Sequence, residues 1–346
     1  MGDSPQTGMT ARFTAPTLRF AGIMLAALLS ACAPYVQLGG PPQTTPMLAA
    51  DTVVMDDGYA LPLRRWLPNE GQRAAPRAVL LAVHGFNDYS NAFVLAGPAL
   101  ADRGVAVFAI DQRGFGATPT RGFWPAEDRA VSDIHQTVRL LRSVYSGVPV
   151  YVLGDSMGAA MVIAAFTADA APPVDGVILN APAVWGRDTF NVFYRMLLWT
   201  FAHTVPGYTV TGKGVQVTIS DNRDILRQMS RDPLMIRETR FDALYGLVHL
   251  MDRALDRAPQ LDGRVLVLYG LKDEVIPRPS MCRFVERVNP RATVRFYPQG
   301  YHLLLRDLQA ANVIADIDEW MAGQGIGSTL ETISRACPSR GAAAGG

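Results

Sequence analysis

Residues 148–168 read VPVYVLGDSMGAAMVIAAFTA, and this stretch decides the fold. Val148 to Leu153 is a short, β-branched apolar run of the kind that forms a strand buried on both faces. Met157 to Ala168 is rich in alanine and suits a helix. Between them, Gly154-Asp155-Ser156-Met157-Gly158 fits the pattern G-x-S-x-G. Set between a strand and a helix, that pattern lifts a serine hydroxyl above the end of a sheet. The glycines are needed because so sharp a turn leaves no room for side chains on either side of the strained residue. Ser156 is therefore the candidate nucleophile.

The same alternation extends in both directions. Further apolar runs lie at Ala78 to Val83, Val105 to Ile110, Val174 to Leu179, Arg264 to Tyr269 and Thr293 to Tyr297. Helical spacing appears at Asn91 to Arg103, Asp128 to Tyr145, Pro279 to Val288 and Asn312 to Met321. This order predicts an α/β fold, a mostly parallel sheet with helices on both faces. Ahead of it, Thr52 to Met55 and Leu61 to Trp66 flank the turn Asp56-Asp57-Gly58, predicting an antiparallel hairpin at one sheet edge. The alternation pauses between Ala183 and Asp262, for longer than one crossover helix requires. Residues 184–260 are therefore expected to form an inserted helical cap within a domain spanning 51–322.

A serine hydroxyl needs a base, and the base needs an acid that fixes its tautomer. Asp273, in Gly270-Leu271-Lys272-Asp273, and His302, in Gln299-Gly300-Tyr301-His302, each follow a predicted strand. Both therefore fall at the sheet edge where Ser156 emerges. Glu274 adjoins Asp273 and is the other candidate acid, whereas Asp262 precedes its strand, at the wrong end. His135 lies within a helix, and His203 and His249 fall in the cap. A tetrahedral oxyanion needs two preorganised donors, for which the backbone N–H groups of Phe86 and Met157 are the natural pair. His84, in His84-Gly85-Phe86, is expected to brace that loop.

Taken together, His84-Gly85, Asp111-Gln112-Arg113-Gly114-Phe115-Gly116, Gly154-Asp155-Ser156-Met157-Gly158, Gly270-Leu271-Lys272-Asp273 and Tyr301-His302 resemble the monoacylglycerol lipase and lysophospholipase branch of the α/β-hydrolases, the serine aminopeptidase S33-type enzymes. The resemblance covers Thr52 to Met321. It implies an α/β-hydrolase fold, a triad of Ser156, Asp273 and His302, oxyanion donors at Phe86 and Met157, and a structural role for Asp111 to Gly116. One motif departs: His84-Gly85-Phe86-Asn87-Asp88-Tyr89 stands where the family commonly has His-Gly-x-x-Glu-His.

The N-terminus reads as an address. Arg12 and Arg19 precede an apolar run from Phe20 to Leu29 that is too short to span a membrane, which predicts a signal peptide over 1–31. Leu29-Ser30-Ala31-Cys32 resembles the lipobox of bacterial lipoproteins, which implies lipidation at Cys32. Ordinary cleavage near Ala31 or Ala33 is the alternative. Ala33-Pro34 lacks the aspartate of inner-membrane retention and points to an outer-membrane anchor facing the periplasm. Residues 32–50 hold Gly39-Gly40-Pro41-Pro42 and are expected to be a lipidated tether, and 323–346 a flexible tail. In an oxidising compartment a Cys282–Cys337 disulfide is permitted, with two unpaired thiols the alternative.

With 32 basic and 31 acidic side chains the net charge is +1, too weak a field to gather phosphates, so nucleic acid is not an expected partner. The five histidines and three cysteines show no metal-ligand or Cys-x-x-Cys spacing, and the chemistry is expected to need neither metal nor cofactor. In the cap, Phe190 to Phe201 is apolar nearly all round if helical. Such a helix is either core or a lid with one face on an acyl tunnel and another on lipid. The expected function is hydrolysis of lipid-like esters, monoacylglycerols or lysophospholipids, through an acyl-enzyme. An acyltransferase, a peptidase and a non-enzymatic binding module share the scaffold. The peptidase would need an acidic pocket for its substrate's amine, and near the aromatic segment the cap supplies only Asp188. Oligomeric state is not legible.

Overall fold

A computed structural model describes residues 33–68, 75–212, 214, 216–328 and 330–338; the expected signal peptide over 1–31 and the expected lipidation at Cys32 lie outside the described residues. Its strands are β1 (Met47–Leu48), β2 (Thr52–Val54), β3 (Ala60–Trp66), β4 (Ala78–Val83), β5 (Val105–Ile110), β6 (Val150–Asp155), β7 (Gly176–Asn180), β8 (Thr209–Thr211), β9 (Glu238–Arg240), β10 (Val265–Gly270) and β11 (Thr293–Tyr297). Its helices are α1 (Ala96–Ala101), α2 (Glu127–Val144), α3 (Met157–Phe166), α4 (Val192–Thr204), α5 (Arg223–Arg231), α6 (Phe241–Arg257), α7 (Arg278–Arg287), α8 (Ala310–Met321) and α9 (Leu330–Ala336).

The main sheet runs β1-β2-β3-β5-β4-β6-β7-β10-β11, parallel from β5 onward, with β8 and β9 paired separately in the cap. β4 shows why these strands are apolar without interruption. Val79, Leu81 and Val83 join one buried layer with Ile134 and Val138 of α2 and Met161 of α3. Ala78, Leu80 and Ala82 join the opposite layer with Leu100 of α1 and Val313 and Ile317 of α8. Each large aliphatic side chain so buried contributes about 1.5–3 kcal/mol. The edge hairpin is β2–β3, with Thr52 opposite Pro62 and Val54 opposite Ala60. Its turn is clamped from below. Arg113, almost wholly buried, donates to Asp57 at 2.7 Å and Asp133 at 2.6 Å and lies over the Tyr59 ring, while Arg129 pairs with Asp56. Burial pushes Asp133 up to about 6 despite these cations.

Three boundaries differ from the sequence reading. The helix expected from Asn91 to Arg103 is divided into a 3-10 turn over Ser90–Phe93 and then α1, where Gly97 lies flat against Trp66 with no room for a Cβ. The folded unit begins well before Asp51. Tyr35 meets Phe123 edge-on, Gln37 N–H donates to the Trp124 carbonyl and Ala126 N–H to the Gln37 carbonyl, both at 2.8 Å, and β1 extends the sheet. A glycine- and proline-rich composition does not reveal such main-chain partners. The tail is also partly fastened. Ser328 N–H donates to the Val294 carbonyl, α9 packs on β11, and Cys337 is bridged to Cys282 with Cα atoms 5.3 Å apart. Residues 339–346 lie outside the described residues.

Between β7 and β10 the chain builds the cap from α4, β8, α5, β9 and α6, and α6 returns to pack on α3. The helix read as apolar all round is α4, and only Ala202 of it is buried. Phe193, Tyr194, Met196 and Trp199 are exposed by half or more. No described helix is long and apolar enough to cross a membrane.

Candidate active site

Ser156 caps the end of β6 with φ +53°, a backbone conformation that costs a non-glycine residue about 1–3 kcal/mol. The neighbours hold it there. Ser156 N–H donates to the Asn180 carbonyl on β7 at 2.9 Å, and its own carbonyl accepts from Ala183 N–H at 3.1 Å. A Cβ at Gly158 would strike the Val83 carbonyl, and one at Gly154 the Gly158 carbonyl, so both glycines are required by close approach.

His302 Nε2 lies 2.9 Å from Ser156 Oγ, and Nδ1 lies 2.8 Å from Asp273 Oδ2. Asp273 Oδ1 accepts from the N–H groups of Val275 at 2.7 Å and Ile276 at 2.9 Å, which leaves Oδ2 to His302. With Nδ1 donating to this acid, Nε2 presents its lone pair to the serine hydroxyl. Burial opposes a charge on His302, but the charge and hydrogen bond of Asp273 outweigh it and leave its pKa above the ordinary histidine value. The structure thus brings Ser156, Asp273 and His302 together. Glu274, the other candidate acid, instead accepts from Thr218 N–H in the cap at 2.6 Å.

The remaining histidines bond elsewhere. His84 is buried, its Nε2 accepting from Gln112 N–H at 3.0 Å and its Nδ1 donating to the Gly85 carbonyl at 2.8 Å, so it braces the loop after β4. Burial pushes its pKa down and keeps it neutral. His135 bonds the Ala165 carbonyl, His203 stacks on Trp199, and His249 bonds Arg187. Gly85 passes against Ser156, and Phe86 lines the same cavity as the serine. Among the described residues, no backbone carbonyl accepts the N–H of Phe86 or of Met157. Two donors are thus available beside Ser156.

A cavity of about 530 Å³ opens above Ser156 and His302 between the sheet edge and the cap. Its walls are apolar, including Trp185, Phe190, Leu198, Leu244, Met251 and Ile276. Its polar lining includes Asp88 and Arg306, which pair at 2.5 Å and are nearly inaccessible. Neither was singled out from the sequence. The departure at Asn87-Asp88-Tyr89 from the family's common loop marks the Asp88 side, and no sequence signal marks Arg306. Asp155 is also buried here, accepting from Asn180 Nδ2 at 2.6 Å, and burial raises its pKa.

A family model described as serine aminopeptidase, S33, matches residues 74–309, the span that holds β4, the elbow, the cap, Asp273 and His302. The chain belongs to the serine aminopeptidase S33 family. As an S33 protein it is a serine hydrolase of the α/β-hydrolase superfamily. Among curated relatives, a human monoglyceride lipase is 26% identical over 81% of this chain and 93% of its own length. A monoacylglycerol lipase of Mycolicibacterium smegmatis is 24% identical over 74% and 90%. An uncharacterized abhydrolase domain-containing protein of Dictyostelium discoideum is far longer, and this S33 chain spans 29% of it. Among solved structures, a soluble variant of the monoglyceride lipase of Saccharomyces cerevisiae, in complex with a substrate analog, superposes with TM-score 0.67 over 85% of this chain and 99% of that one, at 17% identity. A Paleococcus ferrophilus monoacylglycerol lipase gives 0.64 over 76% and 98%, at 21% identity. At these identities the structural likeness speaks to the fold of the S33 hydrolase.

Proposed function

We propose that this S33 hydrolase cleaves lipid-like carboxylic esters through an acyl-enzyme formed on Ser156. The observation that carries the reading is the opening of the Ser156–His302–Asp273 relay into an apolar cavity walled by the cap. His302 Nε2 takes the hydroxyl proton as Ser156 Oγ attacks the ester carbonyl, and the N–H groups of Phe86 and Met157 receive the oxyanion. His302 then gives that proton to the departing alcohol. Water, activated by the same base, releases the fatty acid. Monoacylglycerols and lysophospholipids fit this chemistry, and the monoglyceride and monoacylglycerol lipases among the relatives favour the former.

A peptidase would need a carboxylate free to bind its substrate's amine; of the two in the lining, Asp88 is paired with Arg306 and Asp155 is buried and accepts from Asn180. The lipid reading also accounts for the exposed aromatic face of α4, which suits contact with a membrane surface. We place the protein in the bacterial envelope, anchored through lipid on Cys32. Mass spectrometry of the mature N-terminus would reveal diacylated Cys32 if so, and an unmodified start near Ala33 if not.

The main test is hydrolysis of p-nitrophenyl esters from acetate to palmitate by the signal-free protein and its Ser156→Ala variant. Serine-dependent rates that rise with acyl length are expected. Serine-dependent rates confined to short chains would keep an esterase and remove the lipid substrate; equal rates in both proteins would remove Ser156.

A further inference from the structure

Three consecutive residues of the loop after β4 are each fastened to a distant part of the chain. Asn87, at φ +61°, donates from Nδ2 to Thr239 Oγ1 at 2.7 Å, and its carbonyl accepts from Ile236 N–H at 3.0 Å. Asp88 pairs with Arg306, beyond His302. Tyr89 donates its hydroxyl to Asp232 Oδ2 at 2.6 Å, while Asp232 Oδ1 accepts from Leu234 N–H at 2.9 Å. Asp232, Ile236 and Thr239 all belong to one stretch of the cap, from the end of α5 into β9.

That stretch has a second contact. Met229 and Met235, three residues to either side of Asp232, line the cavity above Ser156. Methionine side chains adapt their shape to whatever packs on them. The cap segment that would touch an acyl chain is thus the segment that grips the loop carrying Phe86. Asn87 follows Phe86 directly, and its left-handed turn, held through its side chain and carbonyl, fixes the loop's course at the oxyanion donor.

We propose that Asp232 is a positioning residue: the segment from Met229 to Thr239 couples an acyl chain lodged against Met229 and Met235 to the placement of the Phe86 N–H, through the Tyr89–Asp232 and Asn87–Thr239 bonds. The proposal rests on the ester-hydrolase reading. In this arrangement a long chain holds the cap segment in place and the segment holds the donor. A short chain leaves the methionines untouched and gains nothing from the linkage.

The test compares wild type with Tyr89→Phe, Asp232→Ala, Asp232→Asn and the Tyr89→Phe/Asp232→Ala pair. Each is assayed for kcat and KM on p-nitrophenyl butyrate and laurate, for the rate of Ser156 phosphonylation by ethyl and dodecyl fluorophosphonates, and for its melting midpoint. Small displacements of catalytic groups cost up to about a hundredfold. Tyr89→Phe and Asp232→Ala are expected to lower kcat on laurate by about tenfold, with KM and the butyrate kcat little changed and the melting midpoint retained. The dodecyl phosphonylation rate falls in parallel. Asp232→Asn, which keeps an acceptor, recovers most of the rate, and the double variant is no worse than either single one. Unchanged laurate kcat in both single variants overturns the proposal, as does a loss equal for both chain lengths or one that tracks a lowered melting midpoint. A wild-type protein that neither hydrolyses esters nor is phosphonylated at Ser156 overturns the hydrolase reading first, and the coupling with it.

Discussion

Arg306 and Asp88 meet at 2.5 Å with both side chains almost wholly buried, so a single ion pair joins the loop that carries His302 to the loop that carries Phe86. A buried charge stripped of its partner is costly in a way that an exposed one is not. Arg306→Met is therefore expected to lower stability by about 3–5 kcal/mol. Adding Asp88→Leu should restore part of the loss. Urea unfolding of the two singles and the double variant checks this, and additive losses would show that the two residues act independently.

The pH profile follows from His302. The base works only when neutral, and Asp273 holds its pKa above the ordinary 6.5 against the effect of burial. As pH falls through that raised value the imidazole takes a proton and activity is lost. The acidic limb of kcat/KM is thus expected to have its midpoint above 6.5, with unit slope. Asp273→Asn should move the midpoint down and reduce kcat by about 10⁴. A wild-type midpoint below 6.5 would falsify the assignment of His302 as a base supported by Asp273.

Gly158→Ala tests the elbow by sterics alone. The added methyl group would be driven into the main chain at Val83 and His84, which cannot swing aside as a side chain could. A loss of about 3 kcal/mol or more is expected, seen as a lower urea midpoint or as failure to accumulate folded protein. A midpoint equal to wild type would mean that the turn relaxes freely.

The outward face of α4 separates surface action from chemistry. Phe193 and Trp199 are 64% and 54% exposed and lie outside the cavity lining. Phe193→Glu with Trp199→Glu is expected to weaken binding to phosphatidylglycerol vesicles by about tenfold or more, since burying charge at an interface replaces a gain with a cost. Hydrolysis of soluble p-nitrophenyl acetate should stay within about twofold of wild type. Equal vesicle binding by both proteins would remove the membrane role of this helix.

The sequence made the sheet legible because its strands are buried on both faces, which leaves unbroken apolar runs such as Ala78 to Val83. It made Ser156, Asp273 and His302 legible because each stands just past the end of such a run, where the topology must gather them. What stayed hidden depends on partners far away in the chain. Asp88 and Arg306 are separated by 218 residues, and no local pattern marks either as half of a pair. Residues 35–48 look like a linker by composition, yet they are recruited by the backbones of Trp124, Ala126 and Asp56. The segment after Gly323 reads as a flexible tail by its small residues, while its Cys337 is legible only as one of two thiols that could pair; the Cα separation of 5.3 Å from Cys282, which decides it, is a property of the fold.

The clasp at Gln37 bears on where this enzyme works. Only four residues lie between the proposed anchor at Cys32 and Gln37, whose bonds fix it to Trp124 and Ala126, and the five steps from Cys32 to Gln37 span at most about 18 Å of extended chain. Trp124 in turn stands against Phe86, with ring centroids 6.2 Å apart. A lipid at Cys32 would therefore act as a mooring rather than a leash. The catalytic mouth would ride close to the bilayer in a restricted orientation, and it would collect substrate by lateral diffusion within the leaflet rather than by search through the surrounding volume.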